Sequence, residues 1–208
     1  MTGAAILVTW VGEAVGSRAA AAALACAGAE PDRAALLIDL APVRAPRPAL
    51  VATAAARRLE ERLAIHRPRA GLASRGQICH LALPADRDGV EQVAGSLALA
   101  RESVCAIHLP PDLLQPLLGE RGFEASGALL RADLESDRAL TALATRDLID
   151  RGLRVMVLKR PLAWLPSRRA LFGVLPEGSP GGLPPRLLGR LLEGTPGDGL
   201  REALDAAG

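Results

Sequence analysis

Short runs of apolar residues recur along the chain, each bounded by turn-forming residues and most followed by a stretch with helical spacing. The first run, Ala4–Val8 (AAILV), has no polar interruption, as expected of a strand buried on both faces of a parallel sheet. A glycine-containing turn from Trp10 to Gly16 leads into Ser17–Ala29 (SRAAAAALACAGA), which predicts an alanine-rich helix with Ser17 as its N-cap. Glu30–Arg33 reads as a turn and Ala34–Leu40 (AALLIDL) as a second buried strand. That order is the right-handed βαβ unit from which doubly wound sheets are built.

The alternation continues. A proline-rich loop, Pro42–Pro48, precedes a predicted helix from Leu50 to Ala64 with an exposed charged face of Arg57, Arg58, Glu60, Glu61 and Arg62. The stretch from there to Gly76 carries no clear period and is expected to be the least ordered part of the chain. Further strands are predicted at Ile78–Leu83, Val104–Leu109, Ala128–Ala132, Arg154–Leu158 and Ala170–Leu175, with helices at Asp88–Arg101, Asp112–Leu118 and Glu135–Arg151. Two short helical stretches, Pro185–Leu192 and Gly199–Ala206, follow. The pattern predicts an α/β fold: a doubly wound, mainly parallel sheet of about seven strands with helices on both faces. No linker divides the chain and no repeat is visible, so a single domain over residues 1–208 is expected.

Composition narrows the chemistry. Half of the 208 residues are apolar, yet there are only two Phe, two Trp and no Tyr, so the core must be built from Ala, Leu and Val. Lys159 is the only lysine, leaving Arg to supply the positive charge. The net charge of +2 is spread along the chain, which argues against a nucleic-acid surface. Three cysteines without close spacing (Cys26, Cys79, Cys105) give no disulfide framework and read as small buried residues. The first apolar run is too short to span a bilayer, so a cytoplasmic protein is expected.

Three blocks, in order, carry a resemblance. ILVTWVGEAVGSRAAAAALA resembles the opening strand, deviant phosphate loop and first helix of the MinD/ParA branch of P-loop NTPases. AALLIDLAP resembles that family's next strand, and SVCAIHLPPDLLQPLL the strand that carries its Walker B aspartate. Downstream, GALLRADLESDRALTALATRDLIDRGLRVMVLKRP and ALFGVLPEG are similar to its later segments, so the likeness spans almost the whole chain. Within the family the chain most resembles the divergent members tied to pilus assembly and secretion, the TadZ/CpaE type.

The same resemblance implies a damaged ATP site. Aligned on Val15 and Gly16, the loop has Gly12 at the family's signature lysine and Glu13 and Ala14 at its two glycines. Ser17 then stands at the P-loop lysine and Arg18 at the magnesium-binding Ser/Thr. His108 stands at the Walker B aspartate, and Lys159 where relatives contact the base. Only Asp39 matches a family acid, the next acid position being Ala41. Phosphoryl transfer depends on positioning and charge stabilisation, so this set implies loss of ATP hydrolysis. No catalytic residue and no cofactor are expected, beyond weak binding of ATP or ADP.

Other features admit two readings each. Gly16 and Ser17 open a helix whose N–H groups suit an anion, or Ser17 simply caps it. Cys79, His80, Cys105 and His108 are metal-ligand types, but alternation along a strand sends Cys79 and His80, and Cys105 and His108, to opposite faces. Buried thiols and strand-end histidines without a metal are therefore the expectation. Trp10 and Trp164 read either as a contact surface or as plugs of a vacated nucleotide pocket. Arg57–Arg58 and Arg168–Arg169 read as solvated faces, and PPRLLGRLL as a packing helix with at most peripheral membrane contact.

The expected role is a catalytically inactive interaction or localisation module in a pilus, secretion or cell-pole assembly. Its partners are expected to be proteins, either a second copy or an active ATPase of the same assembly. The rival expectation is a weak nucleotide-binding switch or ATPase with a non-standard phosphate loop, and a third is a histidine-based or metal-based hydrolase around His80 and His108.

Overall fold

The computed structural model describes residues 4–12, 17–40, 51–66, 71–132 and 138–158. They form β1 (Ala5–Val11), α1 (Ser17–Gly28), β2 (Ala35–Asp39), α2 (Ala54–His66), β3 (Leu72–Arg75) and β4 (Ile78–Ala82). There follow α3 (Arg87–Leu99), β5 (Cys105–His108), α4 (Pro111–Leu118), β6 (Gly127–Ala132), α5 (Arg138–Asp150) and β7 (Arg154–Leu158). The seven strands make one sheet in the order β3-β4-β2-β5-β1-β6-β7. Every neighbouring pair is parallel except the β3–β4 hairpin. The α/β class and the mainly parallel sheet are as the sequence pattern predicts.

Membership of the sheet differs in one strand. β3 lies in the stretch expected to be least ordered, because four residues with no alternating pattern give no periodic signal. Tertiary contacts order it: Leu72 pairs with Leu81, Arg75 with Ile78, and the Ser74 hydroxyl donates to the Ala56 carbonyl at 3.0 Å. The expected strand Ala170–Leu175 and the helices Pro185–Leu192 and Gly199–Ala206 lie outside the described residues. β1 runs on to Val11, since Thr9, Trp10 and Val11 pair with Leu130, Arg131 and Ala132 of β6. α2 begins at Ala54, where the Thr53 hydroxyl accepts the Ala56 amide at 3.3 Å.

Handedness decides which face each helix covers. α1 carries the chain from β1 toward β2, while α3, α4 and α5 carry it the opposite way along the sheet. Right-handed crossovers in opposite directions must use opposite faces. Accordingly, alanines of α1 pack with Ile6, Val8, Leu37, Ala106 and Met156 on one face. Leu7, Leu36, Ile38 and Ile107 pack with residues of α2–α5 on the other. With direction reversing at the centre, the carboxyl ends of β1, β5 and β2 lie side by side, the position where open α/β sheets form a crevice.

Two glycines mark places where backbone approach sets the packing. A Cβ on Gly28 would lie 2.6 Å from Val104 Cβ, so α1 settles against the start of β5 only without a side chain there. A Cβ on Gly89 would lie 2.0 Å from the Pro84 carbonyl oxygen. Among the described residues, no helix is long and apolar enough to cross a membrane.

Gly89 allows a test of sign. In an open helix, replacing glycine with alanine stabilises by about 1 kcal/mol. Here the new methyl meets a backbone oxygen, so Gly89→Ala is expected to destabilise by about 1–3 kcal/mol in urea denaturation.

Candidate functional site

Strand alternation brings the polar groups together. Ala35, Leu37 and Asp39 of β2, Ala106 and His108 of β5, and Ile78 and His80 of β4 share the face that α1 covers. Register does the rest: Asp39 is opposite His108, and His80 is opposite Leu37, one pair deeper in the sheet. Backbone bonds lock the strand ends, Leu40 N to His108 O at 2.8 Å, Leu83 N to Asp39 O at 2.9 Å and Leu109 N to Val8 O at 3.1 Å. The start of α1 then lowers Ser17 and Arg18 onto this edge.

Four side chains from three elements form one connected network. Arg18 Nε lies 2.6 Å from Asp39 Oδ2, and His108 Nδ1 lies 3.0 Å from Asp39 Oδ1. His108 Nε2 lies 2.8 Å from the Ser17 hydroxyl. An ionised carboxylate can only accept, so His108 Nδ1 donates to Asp39, and in the neutral ring Nε2 accepts the Ser17 proton. Ser17, Asp39 and His108 are each exposed by 2% or less. His80 is equally buried, and its Nε2 stands 3.7 Å from Asp39 Oδ2, beyond direct hydrogen-bond reach. The Trp10 ring lies over His108 with centroids 5.1 Å apart and a 30° tilt.

The charge state of Asp39 follows from its neighbours. Burial by itself raises a carboxyl pKa, but the His108 hydrogen bond, the His80 ring and the Arg18 charge outweigh it. Together they hold Asp39 well below the usual carboxylate range, so it remains ionised inside the fold.

The structure places the expected site residues unevenly. Gly12 follows β1 with φ +80°, a left-handed conformation that suits glycine and disfavours a lysine at that position. Glu13, Ala14, Val15 and Gly16 lie outside the described residues, as do Ala41, Lys159, Trp164 and Arg168–Arg169. Ser17 is the first residue of α1, and its hydroxyl has His108 as a partner across the sheet, which capping does not foresee. Cys79 and Cys105 belong to the opposite face from His80 and His108, as alternation requires. Burial pushes both thiols up to about 12, and no group of three or more candidate ligands for a metal occurs among the described residues.

Beside Trp10 a cavity of about 690 Å³ opens between α4 and α5, lined by Trp10, Gly12, Pro111, Leu140 and Leu143. Leu140 and Leu143 are 55% and 69% exposed. Trp10 thus lies over His108 and lines this cavity at the same time. Sequence reasoning missed the bond from Ser17 to His108 and the approach of His80 to Asp39. The available signal was parity: in β2, β4 and β5 the polar residue falls on the same face.

Among solved structures, the chain is similar to a ParA family ATPase from Chlorobium tepidum TLS, with a TM-score of 0.52 at 9% sequence identity. The match covers 97% of this chain and 98% of that one, and supports a ParA-like P-loop NTPase fold. No family model matches the chain, and no curated protein matches its sequence.

The sign of the pH dependence is set by Asp39. Its folded pKa is depressed, so its contribution is fully present above the unfolded value of about 3.9 and fades as pH falls below that toward the folded value. Asp39→Asn is expected to lower stability at pH 7 by on the order of 3 kcal/mol, because Arg18 loses its buried counter-charge. The variant's loss of stability between pH 5 and pH 3 is expected to be shallower than that of the parent, measured by chemical denaturation at each pH.

Proposed function

We propose that this chain is a ParA-like domain that does not hydrolyse ATP and acts as an interaction or localisation module. The observation that carries the reading is the direct bond between Ser17 and His108, with Arg18 paired to Asp39. In the resemblance to MinD/ParA proteins, Ser17, Arg18 and His108 stand at positions that serve phosphate and magnesium, and Asp39 at an acid that assists the switch chemistry. Here their functional groups are paired with one another, and an ion pair already made inside the protein must be broken before Arg18 or Asp39 serves a nucleotide. His108 in place of a carboxylate removes a hard oxygen ligand for magnesium.

An assembly role in pili, secretion or the cell pole is supported by the sequence likeness to the TadZ/CpaE type. Exposed Leu140 and Leu143 beside Trp10 are the apolar surface such docking would use. The partner in this reading is a protein, either a second copy or an active ATPase.

Calorimetric titration with ATP and ADP, with and without magnesium, tests the reading. No heat of binding at micromolar nucleotide, no phosphate release and no rise in Tm at millimolar ATP are expected. Magnesium-dependent micromolar binding would overturn it and favour the nucleotide-switch alternative.

A further inference from the structure

Ser17, His108 and Asp39 are connected in the order that activates a serine nucleophile, and we propose that Ser17 is such a nucleophile, acting on esters with an apolar acyl group. This goes beyond the docking role and uses the same side chains without depending on the absence of ATP binding. Three observations converge on it. The hydroxyl meets His108 Nε2 at 2.8 Å, and the other ring nitrogen meets Asp39 at 3.0 Å, so the base is both in reach and oriented. Asp39 is kept ionised, which fixes the Nδ1–H tautomer and stabilises the imidazolium formed when the serine proton is taken.

The second observation is the position of Ser17 at the first residue of the 12-residue helix α1. Backbone N–H groups in a first helical turn lack intrahelical acceptors and present positive potential, as an oxyanion requires. The third is Trp10, which lies over His108 and also lines the neighbouring cavity of about 690 Å³, so that this one ring separates the cavity from the base. That volume falls in the range of small-molecule sites; Trp10, Pro111, Leu140 and Leu143 offer a hydrocarbon chain one apolar wall, while Arg146, Asp147 and Asp150 line the polar rim.

The chemistry balances without a cofactor. Ser17 Oγ bonds to the ester carbonyl carbon as His108 Nε2 takes the hydroxyl proton. The ester C–O bond then breaks, and His108 returns that proton to the leaving alkoxide, releasing an alcohol and an acyl-Ser17. Water attacks the acyl carbon with His108 again as base, the Ser17–acyl bond breaks, and a carboxylic acid leaves. Ser17 and His108 are the catalytic residues; Asp39 is a positioning residue that acts through His108.

Labelling of the full chain with an alkyl fluorophosphonate, followed by intact-mass and peptide mass spectrometry, tests the proposal. One adduct is expected, on Ser17, forming over hours because the hydroxyl is buried. His108→Ala is expected to slow it by about 100-fold or more, the contribution of a general base, and Ser17→Ala to abolish it. Asp39→Asn is expected to slow it as well, with partial recovery in Asp39→Glu, both compared in variants that retain a cooperative melting transition. The parent protein alone keeps the proposal falsifiable: absence of an adduct on Ser17, or an adduct elsewhere only, overturns it. A Ser17 adduct whose rate survives His108→Ala overturns it too. Protection of Ser17 by magnesium-ATP would overturn the docking reading while leaving this one standing.

Discussion

One ionised carboxylate, almost sealed from water, organises the centre of this molecule. Asp39 ends β2 with 1% exposure, and a charge so placed is tolerable only if its neighbours supply what solvent would. Arg18 comes from α1 and His108 from β5, with His80 below from β4. The requirement therefore fixes the start of a helix against the ends of separate strands. Removing the charge would leave Arg18 without its counter-charge and His108 Nδ1 without its acceptor, although the backbone bonds between the strand ends would remain.

The two faces of the sheet are stabilised differently around that point. The face covered by α2–α5 relies on large aliphatic side chains such as Ile38, Leu59, Leu63 and Ile107. The α1 face relies on close approach of alanines, which contributes less apolar area per residue and tolerates less separation. A polar cluster at one end of α1 is consistent with that balance, since directional bonds hold a helix in place where side-chain volume is small.

Much of the fold was legible because strands of a parallel sheet are buried on both faces and read as unbroken apolar runs. β3 was not, since Leu72–Arg75 is ordered by an antiparallel neighbour and not by its own pattern. At the site, Ser17, Arg18, Asp39 and His108 all stood out as residues, yet their connections were not legible. β5 slots between β2 and β1, and a linear sequence does not reveal that Asp39 will face His108 in register. His80 was weighed as a metal ligand and, with His108, as the centre of a hydrolase, but not beside Asp39. Its kinship with Asp39 depends on β4 lying next to β2, a long-range pairing that local spacing does not encode.

The glycine at the far end of α1 gives the helix a second fixed point. Gly28 rests against Val104 at the foot of β5, while Ser17 is tied to His108 at the head of the same strand. Helix and strand are thus fastened at both ends, like a bar bolted to a rail. Any rearrangement at the carboxyl edge must then either move α1 and β5 as one piece or unfasten an end.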